Sequence, residues 1–270
     1  MMFFGRMFRK TEHFLCMASV FQDMRKWLWL GFLVLLLFGI RLFFALKTPY
    51  LSSDNSYLYA RGVEAIHEGK LLWFDELGFG GRTWLRSPLF EAIVALATFV
   101  MPFGLAVKVV PNMFASLLAV PAFLIAHELT RHDYISFATA FLAGIVPVFL
   151  ANTFNQLTPL SLALPLFFLL VWLWMARPLR VGWFLAVLLV FAFAHPLSAV
   201  FVLAILVYFA LMLIEGARVE VAEYELGLFT VFFTIWAQFL VYKRGMLFHG
   251  ANVIWQNIPP AWWTMFDTNI

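Results

Sequence analysis

Between Ser52 and Ser87 the chain gathers Asp54, Arg61, Glu64, His67, Glu68, Lys70, Asp75, Glu76, Arg82 and Arg86. This is a concentration of chemistry in a chain with few charges elsewhere. Asp54 follows Ser52 and Ser53 directly after an apolar stretch, and a carboxylate fixed there can take a proton from an attacking nucleophile. Aspartate at such a point also satisfies the free N–H groups that open a helix. The two roles are compatible. Gly78, Gly80 and Gly81 let the backbone approach a ligand closely, and Arg82 and Arg86, four residues apart, are spaced to share one phosphate. A solvated glycine-rich turn has the same spacing, so both interpretations stand. Asp75 and Glu76 form a candidate acidic cluster if the loop folds back towards Asp54. His195, just before Pro196, is a candidate for proton transfer because imidazole titrates near neutrality; the alternative is a wetted helix-end residue. Cys16 is the single cysteine, so neither an internal disulfide nor a cysteine metal site is available.

The elements that must position these groups are apolar. Hydrophobic residues make up 64% of the 270 positions and charged residues 12%, against about 25% charged in soluble domains. The composition identifies an integral membrane protein. A net charge of +3 with 18 Lys and Arg excludes a nucleic-acid-binding basic module. Arg6, Arg9, Lys10, Arg25 and Lys26 precede the apolar run Trp27 to Leu46, about the 20 residues that span a bilayer core. That pattern predicts an uncleaved signal anchor with a cytosolic N-terminus. Further runs cover Leu89 to Met101, Val109 to Ala126, Ile135 to Leu150, Leu160 to Met175, Val181 to Ala194, Leu197 to Ile214 and Leu228 to Tyr242. They lack the alternation of barrel strands, and the expected fold class is all-α.

Leu89 to Met101 decides the topology. It contains Glu91, ends at Met101, Pro102, Phe103 and Gly104, and is well below the roughly 20 residues of a span. If it crossed, Arg131, Arg177, Arg180 and Arg218 would all lie in short external loops, against the positive-inside rule. It is therefore expected to lie at the interface. The result is a cytosolic tail over 1–26, a membrane module over 27–242 with seven spans and an external loop 47–111, and an external tail, or the start of a further part, over 243–270. The short external turns Ala151 to Thr158 and His195 to Ser198 hold no Lys or Arg. In the long external loop, a surface helix is predicted from Ser52, Ser53 and Asp54 to about Glu68, closed by Gly69. Arg41, inside the first span, is expected to snorkel to the outer headgroups, with a lipid-phosphate contact as the alternative.

The order of these parts resembles the N-terminal module of the GT-C glycosyltransferases, polytopic enzymes that use lipid-phosphate-linked sugars. The resemblance is carried by Asp54 followed by an aromatic and Arg61, then Trp73, Phe74 and Asp75, then Gly81 and Arg82, then Ser87 and Pro88, and by the span ending Ile145, Val146, Pro147. It is closest to the catalytic subunit of oligosaccharyltransferases and its archaeal relatives, and covers roughly Trp27 to Pro178. It implies a polyprenyl-phosphate-linked donor, Asp54 as the catalytic residue, and Arg61, Arg82 and Arg86 as groups for the sugar phosphate, to which His195, by its position at a helix end on the same side as Asp54, is a further candidate. That family places paired acids in the second external loop to help bind a divalent metal. Here the loop reads Asn152, Thr153, Phe154, Asn155, Gln156, Leu157, Thr158, without a carboxylate. A hard cation needs several oxygen ligands, so Mg or Mn is disfavoured and no cofactor is assigned. Trp262 and Trp263 do not reproduce the family's acceptor-recognition motif. The expected partners are membrane lipids and the lipid-linked donor. A transporter or lipid flippase, or a non-catalytic GT-C-like scaffold, is the alternative.

Overall fold

The computed structural model describes residues 25–71, 74–75, 82–83, 86–176 and 179–249. Expectations for Cys16, the N-terminal cations before Arg25, Trp73, Glu76, Gly78 to Gly81, Arg177, Trp262 and Trp263 lie outside the described residues. In chain order the described elements are α1 (Arg25–Leu46), α2 (Asp54–His67), β1 (Phe74–Asp75), β2 (Arg82–Thr83), α3 (Leu89–Thr98), α4 (Phe103–Ser116), α5 (Ala119–Thr130), α6 (Asp133–Ile145), α7 (Pro147–Thr153), α8 (Leu160–Met175), α9 (Val181–Ala194), α10 (Leu197–Ile214) and α11 (Val221–His249). The fold is all-helical apart from the antiparallel two-residue ladder, in which Phe74 pairs with Thr83 and Asp75 with Arg82.

Among the described residues four helical stretches are long and apolar enough to cross a membrane: Arg25–Leu46, Phe103–Thr130, Leu197–Ile214 and Val221–Lys243. A fifth is obtained if α6 and α7, bent by 45°, count as one broken pass. The break has a local cause. Val146 adopts φ −51°, ψ 123°, because the ring of Pro147 disfavours helical backbone in the residue before it. α8 and α9, with 16 and 14 residues, are about 24 and 21 Å long at 1.5 Å per residue. Each is shorter than the ~30 Å hydrocarbon core. Within the expected external loop 47–111, helix begins again at Phe103. Lys108 and Asn112 are both buried, because their polar atoms find partners inside the protein.

The chain divides into two compact units, residues 1–56 with 107–180 and residues 57–106 with 181–270. In the first, the core joins Leu30 and Leu37 of α1 to Ala119 and Phe123 of α5 and Ala140 of α6. Gly144 permits close contact here, because a Cβ there would meet the Leu37 side chain. A second cluster packs Ala115 and Leu118 against Phe149 of α7. Helix direction is fixed by polar contacts at the two ends. At one end Lys26 Nζ pairs with Asp133 Oδ2 at 3.2 Å, and His127 Nδ1 lies 3.4 Å from Asp133 Oδ1. At the other, Arg41 meets Asn112 and Thr153. The start of α1 therefore lies with the end of α5 and the start of α6, so the α4–α5 pass runs opposite to α1 and α6–α7 runs with it.

The second unit is built on aromatic packing. Phe184 and Phe191 of α9 contact Phe201 of α10, and Phe193 contacts Phe233 and Trp236 of α11. Gln238 of α11 donates to the Ala192 carbonyl at 2.8 Å and to Ser198 Oγ at 2.9 Å, tying α11 to the turn between α9 and α10. Near its other end Tyr208 Oη donates to Glu223 Oε2 at 3.5 Å, so α10 and α11 are antiparallel. Within this unit α2 and α3 run parallel. Tyr59 meets Phe90 with ring centroids 6.3 Å apart, and eight residues on along each helix the His67 Nδ1 lies 2.7 Å from Thr98 Oγ1.

Candidate functional site

Asp54 is the first residue of α2, eight positions past the last residue of α1. Its side chain is exposed and makes no hydrogen bond or ion pair with any described residue. The helix begins at Asp54 rather than just after it, so the carboxylate sits in the first turn, where the helix dipole favours negative charge. Among the described residues no capping hydrogen bond orients it. The segment leading into Asp54 is held instead by the residues that follow α7. Asn155, in left-handed conformation at φ 49°, donates through Nδ2 to Thr48 Oγ1, the Tyr50 carbonyl and Ser52 Oγ at 3.2, 2.9 and 3.1 Å. The Ser52 N–H returns a bond to the Asn155 carbonyl at 3.0 Å, and the Leu157 N–H donates to Ser56 Oγ at 3.0 Å. The loop that lacks carboxylates thus serves as a clamp on the backbone that carries Asp54.

The other end of α2 matches the sequence expectation closely. Gly69 has φ 78°, its N–H bonds to the Ile66 carbonyl and the Lys70 N–H to the Ala65 carbonyl. This is the paired-bond stop that a left-handed residue after a helix provides.

Behind the clamp, Arg41 departs from the snorkelling expectation. Only 2% of its surface is exposed. Nε donates to Asn112 Oδ1 at 3.2 Å, Nη2 donates to Thr153 Oγ1 at 2.6 Å, and the guanidinium carbon stands 5.5 Å from the centroid of the Phe149 ring. Polar atoms from α4 and α7 draw the side chain into the protein, so it need not reach a headgroup. Asn112 Nδ2 also bonds the Lys108 carbonyl, and Lys108 Nζ donates to the carbonyls of Ala45 and Thr48 at the end of α1. These groups order the chain from α1 to Asp54.

The remaining candidates lie in the second unit, where Asp75 and Arg82 are partners in the register of the β1–β2 ladder. Arg61 is on α2 and half-buried. Arg86 is half-buried just before α3, its guanidinium carbon 4.6 Å from the Tyr59 ring centroid, a cation–π arrangement. Tyr242 of α11 lies within electrostatic reach of Arg86. His195 is half-buried, and its Nδ1 accepts the Leu197 N–H at 3.0 Å. In the neutral ring the proton is therefore on Nε2, and burial lowers the pKa. Its structural role is to cap the start of α10. Tyr242 is four residues from Gln238, which binds the α9–α10 turn, so Arg86 and His195 stand towards the same end of this unit.

One residue that sequence spacing did not single out belongs with them. Glu91, in the first turn of α3, is 1% exposed. Neither carboxyl oxygen has a hydrogen-bond partner in another described residue. Burial pushes its carboxyl from the ordinary 4.5 up to about 7, against the opposing influence of its own backbone N–H and of Arg86. Burial also raises the Tyr59 hydroxyl, with Arg86 opposing and Glu91 adding to the shift. The available sequence signal was a lone acid inside a short apolar run. Among the described residues no three of His, Cys, Asp and Glu are grouped to hold a metal ion. No family model matches the chain, and no curated protein matches it.

Proposed function

We propose that this chain is the membrane module of a GT-C-like glycosyltransferase, which transfers a sugar from a polyprenyl-phosphate donor to an acceptor at the external membrane face. The observation that carries the proposal is the setting of Asp54: an exposed carboxylate without a partner among the described residues, in the first turn of a helix just past an apolar pass, on backbone clamped by the segment after α7. In the reaction Asp54 accepts the proton of the acceptor nucleophile as that atom bonds to the anomeric carbon. The bond from that carbon to the phosphate oxygen breaks, and its electron pair leaves with the phosphate. General-base assistance of this kind contributes about 10²- to 10⁴-fold in rate. Arg61, Arg82 and Arg86 are assigned to the phosphate by the resemblance, where a guanidinium offsets the charge developing on the leaving group.

The proposal includes seven passes, α1, α4–α5, α6–α7, α8, α9, α10 and α11, with a cytosolic N-terminus and α2 and α3 at the external interface. The opposed directions of α1 and α4–α5 support it, because a crossing α3 would make those two passes parallel. Short α8 and α9 are completed by their flanking turns and by local thinning of the bilayer. A transporter is the second interpretation, favoured by the broken α6–α7 pass, since discontinuous helices mark substrate pathways in that class. Membranes containing the protein, supplied with radiolabelled polyprenyl-phosphate-linked hexoses, should release labelled acceptor product. Uptake of a labelled solute into sealed vesicles, with no transfer from any donor, would establish transport instead.

A further inference from the structure

Glu91 has a cost that its immediate surroundings do not offset. Burying a carboxyl whose oxygens find no partner in another described residue is unfavourable whether it is ionised or neutral, and a buried polar group in that state calls for an explanation. Helix α9 packs on α3 and has no ionisable side chain between Val181 and Ala194. The groups around Glu91 come from elsewhere in the same unit: Arg86 ahead of α3, Tyr59 on α2 and Tyr242 on α11, with Arg86 and Tyr59 acting electrostatically on Glu91 or on each other and Tyr242 on Tyr59 and Arg86. Those three are only half-buried. The Glu91 carboxyl oxygens and Arg86 Nη1 are themselves buried, so exposure within the group is confined to parts of the three half-buried side chains.

The chemistry of that cluster selects its ligand. Arg86 disfavours a cation, and an ionised Glu91 disfavours a simple anion. A hydroxyl both donates and accepts, so it satisfies a carboxyl in either protonation state, and aromatic walls with a few convergent polar groups are the usual lining of small-molecule sites. We infer that Glu91, with Tyr59, Arg86 and Tyr242 around it, is the subsite that binds the hydroxyl groups of the donor's sugar, an inference that rests on the glycosyltransferase proposal for the identity of the donor. Glu91 is a positioning residue in this scheme: it fixes the ring and exchanges no proton with the reacting atoms.

The test uses the full chain in nanodiscs of neutral lipid and compares three probes: farnesyl-phosphoryl-glucose, farnesyl phosphate, and octyl glucoside below its micellar concentration. Wild type should bind the glycosylated phosphate more tightly than the bare one. Glu91→Ala should weaken the glycosylated phosphate about tenfold, the loss expected for one hydrogen bond to a chargeable group, and leave farnesyl phosphate unchanged. If Glu91→Ala does not fold, Glu91→Leu with its larger apolar side chain takes its place, with the same loss of preference expected. Equal weakening of both phosphates, or no change in either, overturns the subsite while leaving the donor proposal intact. Glu91-dependent binding of octyl glucoside with no binding of either phosphate keeps the subsite and removes the lipid-phosphate donor. Failure of all three probes to bind wild type overturns both.

Discussion

Asp54 and Glu91 are carboxyls in opposite environments, and the sequence makes only one of them conspicuous. Asp54 stands out because the end of an apolar run, two serines and an acid form a local pattern, and local patterns can be read along the chain. Glu91 becomes notable only once α2, α9 and α11 are in place around α3, since burial of one residue in a ten-residue helix depends on what packs against it. Arg41 shows the same dependence: its partners Asn112 and Thr153 are 71 and 112 residues away, and without them snorkelling was the reasonable expectation. The Glu91 environment makes stability depend on pH. Its folded pKa, about 7, lies above the ordinary 4.5, so the folded protein holds this proton more tightly than the unfolded chain. The contribution is full below about pH 4.5 and is lost as pH rises through about 7. Thermal unfolding in detergent should show the wild-type midpoint falling across that window relative to Glu91→Gln, which cannot titrate. Parallel pH profiles for the two proteins would mean that Glu91 is solvated and normal.

At the scale of elements, α2 was legible at both ends: its start falls at Asp54, its stop at Gly69, and both rest on backbone chemistry within a few residues. The kink at Pro147 was legible only as the end of a run, and the start of α4 at Phe103 was not, because Lys108 interrupts the apolar pattern and its partners, the carbonyls of Ala45 and Thr48, are 63 and 60 residues away. Helix pairing was beyond reach of the sequence for a similar reason. With Leu, Phe and Val on every face, α9 and α10 have no apolar stripe to distinguish the buried side. The α10–α11 contact depends on Gly227, where a Cβ would run into the far edge of the Phe209 ring. Gly227→Val should therefore force the helices apart and destabilise the protein by about 1–3 kcal/mol, the usual cost of overpacking. An unchanged unfolding midpoint would show that the ring moves aside freely.

For the whole molecule, composition was sufficient to establish apolar helices, and the count of passes was not, because α8 and α9 are shorter than a bilayer core. The proposed topology is checked by labelling. In a Cys16→Ser background, single cysteines at Asn152 and Pro196, both exposed, should react with an impermeant thiol reagent added outside, whereas one at exposed His132 should react only after permeabilisation. The reverse pattern would place the α5–α6 turn outside and put Asp54 on the cytosolic side. The central claim is that a carboxylate at position 54 drives sugar transfer, and it is tested most directly by comparing wild type with Asp54→Asn in membranes supplied with radiolabelled polyprenyl-phosphate-linked hexose. Asparagine keeps the shape and serves equally well at a helix start, but cannot take the nucleophile's proton. The variant should reach wild-type levels in the membrane, unfold at the wild-type temperature, and lose transfer by about 10²-fold or more. Undiminished transfer in a folded Asp54→Asn protein would contradict the account.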